Sequence, residues 1–523
     1  MIATLYRRLG TYQKWLMVAC GLAFFFAATA ARDGHDWGGD YAQYILHAQN
    51  LLEGKAYAPI TGIIPNSYLD WMVPAYPPLY PLFIVPILAV FGLSFVALKV
   101  QIAAFLAASV GLFGRLARNY LPAGWALGAI AFMVFSPFLL KFSNKVLTEI
   151  PYMAVSFAAL IAAQSFFDKE KSWQSASILL ISMIALSMTR SLGVSFILAV
   201  PAYALVSRRS HFFLASALAA TATATLLAIS WSMIGFYVEE TGMSLDRILV
   251  WMQGKPAGYF LKFGRFLALF PKESASFALT LNGLAAAVYL AFTALGILKR
   301  RRFSVVEAYL IVYLMTLYVY TIPKTRYLFP VIPLLSLYAF HGLRWVVVSL
   351  AKARYIPRRS YKSFRWAPAL VYTPLFLVYW GAYTFRPVTA EANVLLNPNV
   401  QDIFEHTRTE KMTGAIFGTP RILNLFTGMR STCAFNAYKF WKKDVVWDLD
   451  KLMDLATQGE ISHMILSKTP TATGVALAPI VRENPGFFEQ TYENPGYLVF
   501  EVKWHLYAEK NAQLLAQSAD KAE

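Results

Sequence analysis

Apolar residues run in long stretches along most of this chain, and the short polar segments between them are punctuated by arginine and lysine. An α-helix needs about 20 mostly apolar residues to cross the hydrocarbon core of a bilayer. By that rule crossings are expected near 15–31, 95–114, 124–140, 150–166, 174–188, 192–206, 213–235, 278–298, 308–322, 331–350 and 366–385, about eleven in all. The segment PPLYPLFIVPILAVFG at 77–92 reads instead as an interfacial or broken helix, because each proline removes a backbone donor and disturbs the turn before it. From 387 onward the pattern changes. Turn signals at NPN (397–399), GTP (418–420) and two ENPG repeats (483–486 and 493–496) separate short β-like runs, GAIFG, HMILS and YLVFEV, from helical patterns at 401–411 and 447–457. The expected fold is mainly α: a polytopic transmembrane helical bundle over 1–386, a small C-terminal α/β domain over 387–510, and a polar tail at 511–523.

Composition narrows the class. The chain has 523 residues, 57% hydrophobic and 15% charged, against roughly 25% charged in soluble domains. Its net charge of +18, from 47 basic and 29 acidic residues, would admit nucleic acid as a partner, but the basic residues fall in clusters between apolar runs, which marks loop orientation. Those clusters are Arg7/Arg8/Lys14, Arg115/Arg118, Lys169/Lys171, Arg208/Arg209, Lys299 to Arg302, and Lys352 to Arg365. Placing them in the cytoplasm puts the N-terminus there too, and an odd number of crossings puts the C-terminal domain on the other side with loops 32–78, 141–151 and 236–277. Ala28-Thr29-Ala30 resembles a signal-peptidase site, yet the rest of the chain demands insertion anyway, so the first stretch is expected to stay as a crossing. Cys20 and Cys433 are too few for a disulfide framework or a cysteine zinc site. The absence of a fixed-period repeat weighs against a transporter built from inverted repeats.

Candidate chemistry begins at RDGHDWGGDYAQYILHAQNLLEG, residues 32–54, where three aspartates and two histidines follow the first crossing. Solvation or helix capping accounts for Asp33 and Asp36 as readily as a site does. Asp40 differs, because Tyr41, Tyr44, Ile45, Ala48, Leu51 and Leu52 follow it at helical spacing. It therefore sits in the first turn of an amphipathic helix, where the dipole favours an ionised carboxylate. Arg190 interrupts the apolar stretch between 174–188 and 192–206, and an ionisable group at that depth is costly and usually functional. In the loop at 236–277, Lys255, Lys262 and Arg265 alternate with Trp251, Tyr259 and Phe260, which suits either a helix resting at headgroup level or a substrate gate.

GGDYAQYILHAQNLLEG, AYPPLYPLF, FSNKVLTEIPY, TRSLG at 189–193 and KTRYLFPVIPLL at 324–335, taken in order and by side of the membrane, resemble the polytopic glycosyltransferases of the GT-C class over roughly residues 10–390. Within that class the chain is similar to the dolichyl-phosphate-mannose protein mannosyltransferases and the bacterial lipid A aminoarabinose transferases. The resemblance implies a polyprenyl-phosphate sugar donor and an inverting single displacement, on the outer face of a bacterial cytoplasmic membrane, toward a hydroxyl or amine of a glycan, lipid or protein acceptor. Such a displacement needs a base for the acceptor and positive charge for the departing phosphate. The family's first-loop acid falls on Asp40 as general base or acceptor-orienting carboxylate, and its second-loop carboxylate on Glu149, to hold the acceptor or a metal. Lys324, Arg326 and Tyr327 are the first candidates for the donor phosphate, followed by Arg190, Lys141 and Lys145, with Asp36 and Tyr76 lining the same loops.

One departure bears on cofactors. In the aminoarabinose transferases an acidic residue and a lysine precede the Pro-Pro pair, whereas here Ala75 and Tyr76 stand there. Asp70, His35 and His47 share the loop but match no metal-ligand spacing, and the histidines read as solvated. A divalent metal is thus left open. A flippase or transporter of a lipid-linked substrate, and an oligosaccharide ligase or polymerase, are the competing readings. An acid at the start of an outer-face helix, beside a folded domain, favours the transferase.

Overall fold

Helices form wherever the apolar runs are long, since only a backbone that satisfies its own hydrogen bonds tolerates lipid. The structure is a computed structural model that describes residues 10–520 apart from 36–37, 59, 61, 67–74, 169–171, 208–210, 242–254, 269–275, 320–323, 358–359, 386–393, 411, 435–445 and 470–471. Among the described residues, Phe95–Ala117, Glu149–Asp168, Phe212–Ile229, Thr280–Arg300 and Val331–Lys352 are each long and apolar enough to cross a bilayer. Ala123–Val134 and Pro137–Ser143 together form another, bent by 51°. The bend has a local cause: the first helix ends at Val134 with Phe135 as its cap, and Ser136 caps the second through Oγ, with Pro137 in the opening turn. The crossings expected near 15–31 and 366–385 are the helices Thr11–Thr29 and Ala367–Phe385.

Other expected crossings are shorter. Trp173–Thr189 and Val194–Val206 are separated by Arg190, in extended backbone, and a 3₁₀ turn at Ser191–Gly193. The proline-rich segment is the helix Leu79–Phe91 with Pro86 inside it; at about 20 Å it is too short to cross alone. Where Ser276–Arg300 meets Val331–Lys352 the backbones touch: a Cβ on Gly296 would lie 1.9 Å from Tyr338 O, and one on Gly342 2.1 Å from Phe292 O. Small residues permit this close packing, which is how helices hold together where lipid supplies no hydrophobic drive.

Several basic clusters gather at one end of the bundle. The Arg118 guanidinium lies over the Tyr12 ring, whose hydroxyl donates to Gly114 O at 2.6 Å; Arg300 lies over Tyr120, and Tyr120 meets Ser304 Oγ at 2.7 Å.

The C-terminal part holds a five-stranded sheet ordered β2-β1-β3-β5-β4, built from Ala415–Phe417 (β1), Ser431–Thr432 (β2), His463–Ser467 (β3), Phe488–Glu493 (β4) and Tyr497–Val502 (β5). β1 runs parallel to β2 and β3, while β5 pairs antiparallel with β3 and β4. The first loop joins this sheet. Ile63 bridges Ser431 in parallel, Ile64 N–H donates to Ser431 O at 2.9 Å, and Ile64 is buried among Ile416, Leu455 and Ile461. The helix Pro420–Thr427, between β1 and β2, packs against Asp40–Leu52.

Candidate active site

Asp40 opens the helix Asp40–Leu52, as its spacing predicts, but the helix is not amphipathic in use. Tyr41 to Ala48 and Asn50 are all buried, polar residues included. The rest of the loop folds over the polar face and satisfies it. His47 Nδ1 meets Tyr57 O at 2.8 Å, its Nε2 accepts from Tyr76 N–H at 3.4 Å and lies 3.3 Å from the Gln43 amide, and Asn50 donates to Ala56 O at 3.1 Å. Burial lowers the His47 pKa to about 4, with Arg421 adding to the effect. His35 is likewise buried, accepting Val146 N–H at 2.9 Å and stacked on Tyr41 at 4.0 Å. Both histidines are structural pins, not solvated groups.

Those pins position Tyr76. Its carbonyl accepts the Tyr57 hydroxyl at 2.5 Å, and its own hydroxyl donates to Asp40 Oδ1 at 2.9 Å. The other Asp40 oxygen accepts from Arg326 Nη1 at 3.0 Å. Arg326 lies on the 3₁₀ turn Thr325–Leu328, just before Val331–Lys352, so the start of that span delivers it to the end of the bundle away from the basic clusters. Glu149, first residue of Glu149–Asp168, is 2% exposed; its Oε1 accepts from Arg190 Nη1 at 2.8 Å and lies 3.4 Å from Arg326 Nε. Arg190 also donates to Thr148 Oγ1 at 3.1 Å, and Thr148 meets the Tyr44 hydroxyl at 3.4 Å. The Tyr327 ring lies 4.8 Å from the Arg190 guanidinium and 5.6 Å from that of Arg326.

Two carboxylates and two guanidiniums from distant segments thus form one quartet, with Glu149 buried and the other three half-buried. Both Asp40 oxygens are engaged, whereas Glu149 Oε2 is buried with no hydrogen-bond partner among the described residues. Burial alone would push the Asp40 carboxyl up. The charges of Arg326 and Arg421, with the hydrogen bonds from Arg326 and Tyr76, hold it below the usual carboxylate value instead.

Arg421 was not anticipated. It is 9% exposed on Pro420–Thr427, its aliphatic stem packs beside Gly39, and its guanidinium lies 5.9 Å from the Tyr76 ring. The only local sign is an arginine just after the GTP turn, and nothing in the pattern ties that turn to residue 40. Lys99 was also hidden: buried in Phe95–Ala117, it donates to Arg32 O at 2.6 Å and Gly34 O at 2.8 Å, anchoring the start of the first loop.

The remaining candidates are spread around the quartet. Lys324 is half-buried, and its carbonyl accepts Tyr327 N–H at 3.1 Å. Lys141 is half-buried on Pro137–Ser143, and Lys145 is buried just beyond that helix. Asp36, Asp70 and Trp251 lie outside the described residues. The basic aromatic strip contributes the helix Lys255–Ala268, whose Phe266 packs on Phe138 and Phe329.

The described donors are already engaged by cations and hydroxyls. Asp40 is bonded through both oxygens, Glu149 Oε1 is shared by two arginines, and no three His, Cys, Asp or Glu side chains converge among the described residues.

No protein-family model and no curated sequence matches the chain. Solved structures do. The crystal structure of ArnT from Cupriavidus metallidurans bound to undecaprenyl phosphate aligns with a TM-score of 0.54 and 15% identity, covering 93% of this chain and 97% of that one. Its apo state gives 0.56 and 15%, over 94% and 98%. The archaeal oligosaccharyltransferase AglB from Archaeoglobus fulgidus, in complex with an inhibitory peptide and a dolichol-phosphate, gives 0.56 and 12%, over 94% of this chain and 74% of that one. At these identities the likeness is one of fold: the chain has the polytopic GT-C architecture.

Proposed function

We propose that this protein is a membrane glycosyltransferase, moving a sugar from a polyprenyl-phosphate donor to an acceptor hydroxyl or amine. The reaction face is the non-cytoplasmic side of a bacterial cytoplasmic membrane, with the N-terminus and the basic clusters in the cytoplasm. One observation carries the reading: the Asp40 carboxylate and the Arg326 guanidinium, 3.0 Å apart, share one half-buried cluster at the end of the bundle away from the basic loops. A base for the acceptor and a fork for phosphate oxygens are thus together, as the displacement requires. The two ArnT and AglB structures that carry undecaprenyl phosphate and dolichol-phosphate support the donor class.

The geometry suggests an order of events. In the resting cluster Arg326 is held by Asp40 and Glu149. A donor phosphate competes for Arg326 and Arg190, and an Asp40 relieved of Arg326 becomes more basic, because burial then acts with less opposition. The acceptor oxygen or nitrogen bonds to the anomeric carbon while its proton passes to Asp40. The bond from that carbon to the phosphate oxygen breaks, and its electron pair leaves with the polyprenyl phosphate, whose charge the two arginines meet. Glu149 keeps the arginines side by side, and its unpartnered Oε2 can accept a hydrogen bond from the acceptor.

The test is reconstitution with a synthetic polyprenyl-phosphate monosaccharide. Labelled sugar should appear covalently on an acceptor; label that only crosses the bilayer would make the protein a flippase. A donor used only when it carries a preassembled glycan would make it a ligase.

A further inference from the structure

At the opposite end of the bundle from Asp40 lies a cavity of about 480 Å³, lined by the side chains of Arg344, Lys352, Lys362 and Arg365 over an apolar wall that includes Trp125 and Val348. Arg344, Val348 and Lys352 are spaced four apart on Val331–Lys352 and so share one face. Arg365 comes from the 3₁₀ segment Ser360–Trp366, which lies directly on the helix Ala123–Val134. That approach needs glycine: a Cβ on Gly124 would sit 2.0 Å from Arg365 Nη1, and one on Gly128 2.2 Å from Arg365 O. The contact sets Arg365 over the first turn of that helix, where backbone N–H groups also point outward.

No carboxylate lines the cavity, and none of the four cations is paired with one among the described residues. Arg365 Nε is buried with no hydrogen-bond partner among them either. Four like charges around one hollow repel each other, and an anion seated between them relieves that repulsion. The two cations carried by Val331–Lys352 lie 13 and 21 residues beyond its start, about 20 and 32 Å along the axis, which places the hollow toward the headgroup level of the leaflet opposite Arg326. We propose that this pocket holds the phosphodiester headgroup of an acidic phospholipid, with Trp125 and Val348 against the glycerol and upper acyl region. The pocket shares no residue with the Asp40 cluster, so the proposal does not rest on the transferase reading.

Native mass spectrometry of the full chain in detergent tests it, with phosphatidylglycerol or cardiolipin against phosphatidylcholine, and inorganic phosphate as a separate arm. The acidic lipids should stay bound and phosphatidylcholine should not. The double variant Arg344→Gln/Lys352→Gln should weaken acidic-lipid binding on the order of 25-fold, about fivefold per cation. Arg344→Lys/Lys352→Arg, which keeps both charges, should restore binding and so separate lost recognition from lost folding. Unchanged lipid retention in the glutamine variant would overturn the proposal. So would equal retention of phosphatidylcholine, or inorganic phosphate displacing the lipid at matched concentration, which would mark a site for free anions.

Discussion

Asn in place of Asp40 keeps the side chain's shape and the hydrogen bond from Tyr76 but takes the negative charge away from Arg326. The Asp40 side chain is 25% exposed, and Arg326 still has Glu149 at 3.4 Å, so the stability loss should be small, about 1 kcal/mol. The chemical loss should be larger. A positioned general base contributes roughly 10²–10⁴ in rate, or about 3–5 kcal/mol of transition-state stabilisation. Donor binding should move the other way, because no carboxylate at position 40 then competes with the phosphate for Arg326 Nη1. The expected signature is a kcat reduced by at least about 100-fold with a donor KM unchanged or lower. Initial rates of transfer in proteoliposomes, with membrane abundance and thermal unfolding of the same preparations, provide the measurement. A kcat close to wild type would remove Asp40 from the base role, as would a loss of activity matched by a loss of folded protein.

Glu149→Gln should act on folding first. Uncovering two guanidiniums beside a 2%-exposed side chain costs about 3–5 kcal/mol, so the melting temperature should fall well below that of Asp40→Asn; equal melting temperatures would contradict the quartet. Arg421→Gln removes a charge that holds the Asp40 carboxyl low, so the acid limb of kcat/KM should move to higher pH, and an unmoved limb would detach Arg421 from the site. His47, with its pKa lowered to about 4 against about 6.5 unfolded, binds its proton more readily in the unfolded chain. It should therefore leave stability flat above about pH 6.5 and draw it down as pH falls toward 4, by at most about 3 kcal/mol. Denaturant titrations of wild type and His47→Gln across that window should differ in slope; parallel curves would show that His47 is not the titrating group.

The long helices and the strands at 415–417, 463–467 and 497–502 were legible because their signals are local: twenty apolar residues, or an apolar run between turns. Arg190 stood out for a related reason, as a cation placed where lipid makes charge expensive, and Arg326 through its place in the KTRYLFPVIPLL stretch at the start of a span. What local pattern does not carry is which distant segments meet. Nothing near residue 149 announces that Glu149 faces two arginines, and nothing near 421 points to Tyr76. Lys99 escaped notice because one lysine barely alters the average of a 23-residue apolar helix; its carbonyl partners belong to the loop at Arg32 and Gly34. The helix after Asp40 shows a further limit. Its apolar period was readable, but a polar face covered by its own loop looks in sequence like one facing water. Apolar content also does not reveal where Arg190 or the Ser136-Pro137 step breaks a helix, so Trp173–Thr189 and Val194–Val206 are shorter, and Ala123–Val134 with Pro137–Ser143 is bent, where straight spans are expected.

The seam at Ile63 and Ser431 sets a rule for rebuilding this molecule. The segment that carries Asp40 and the helix that carries Arg421 are stitched to one sheet edge, with Asn66 donating to Cys433 O at 2.7 Å alongside. Grafting the C-terminal portion of another protein onto this membrane core would strand the first loop, leaving Ile64 without its socket and Tyr76 without Arg421. Chimaeras should therefore transplant residues 32–78 and the tail portion as a single cassette, although more than three hundred positions of chain lie between them.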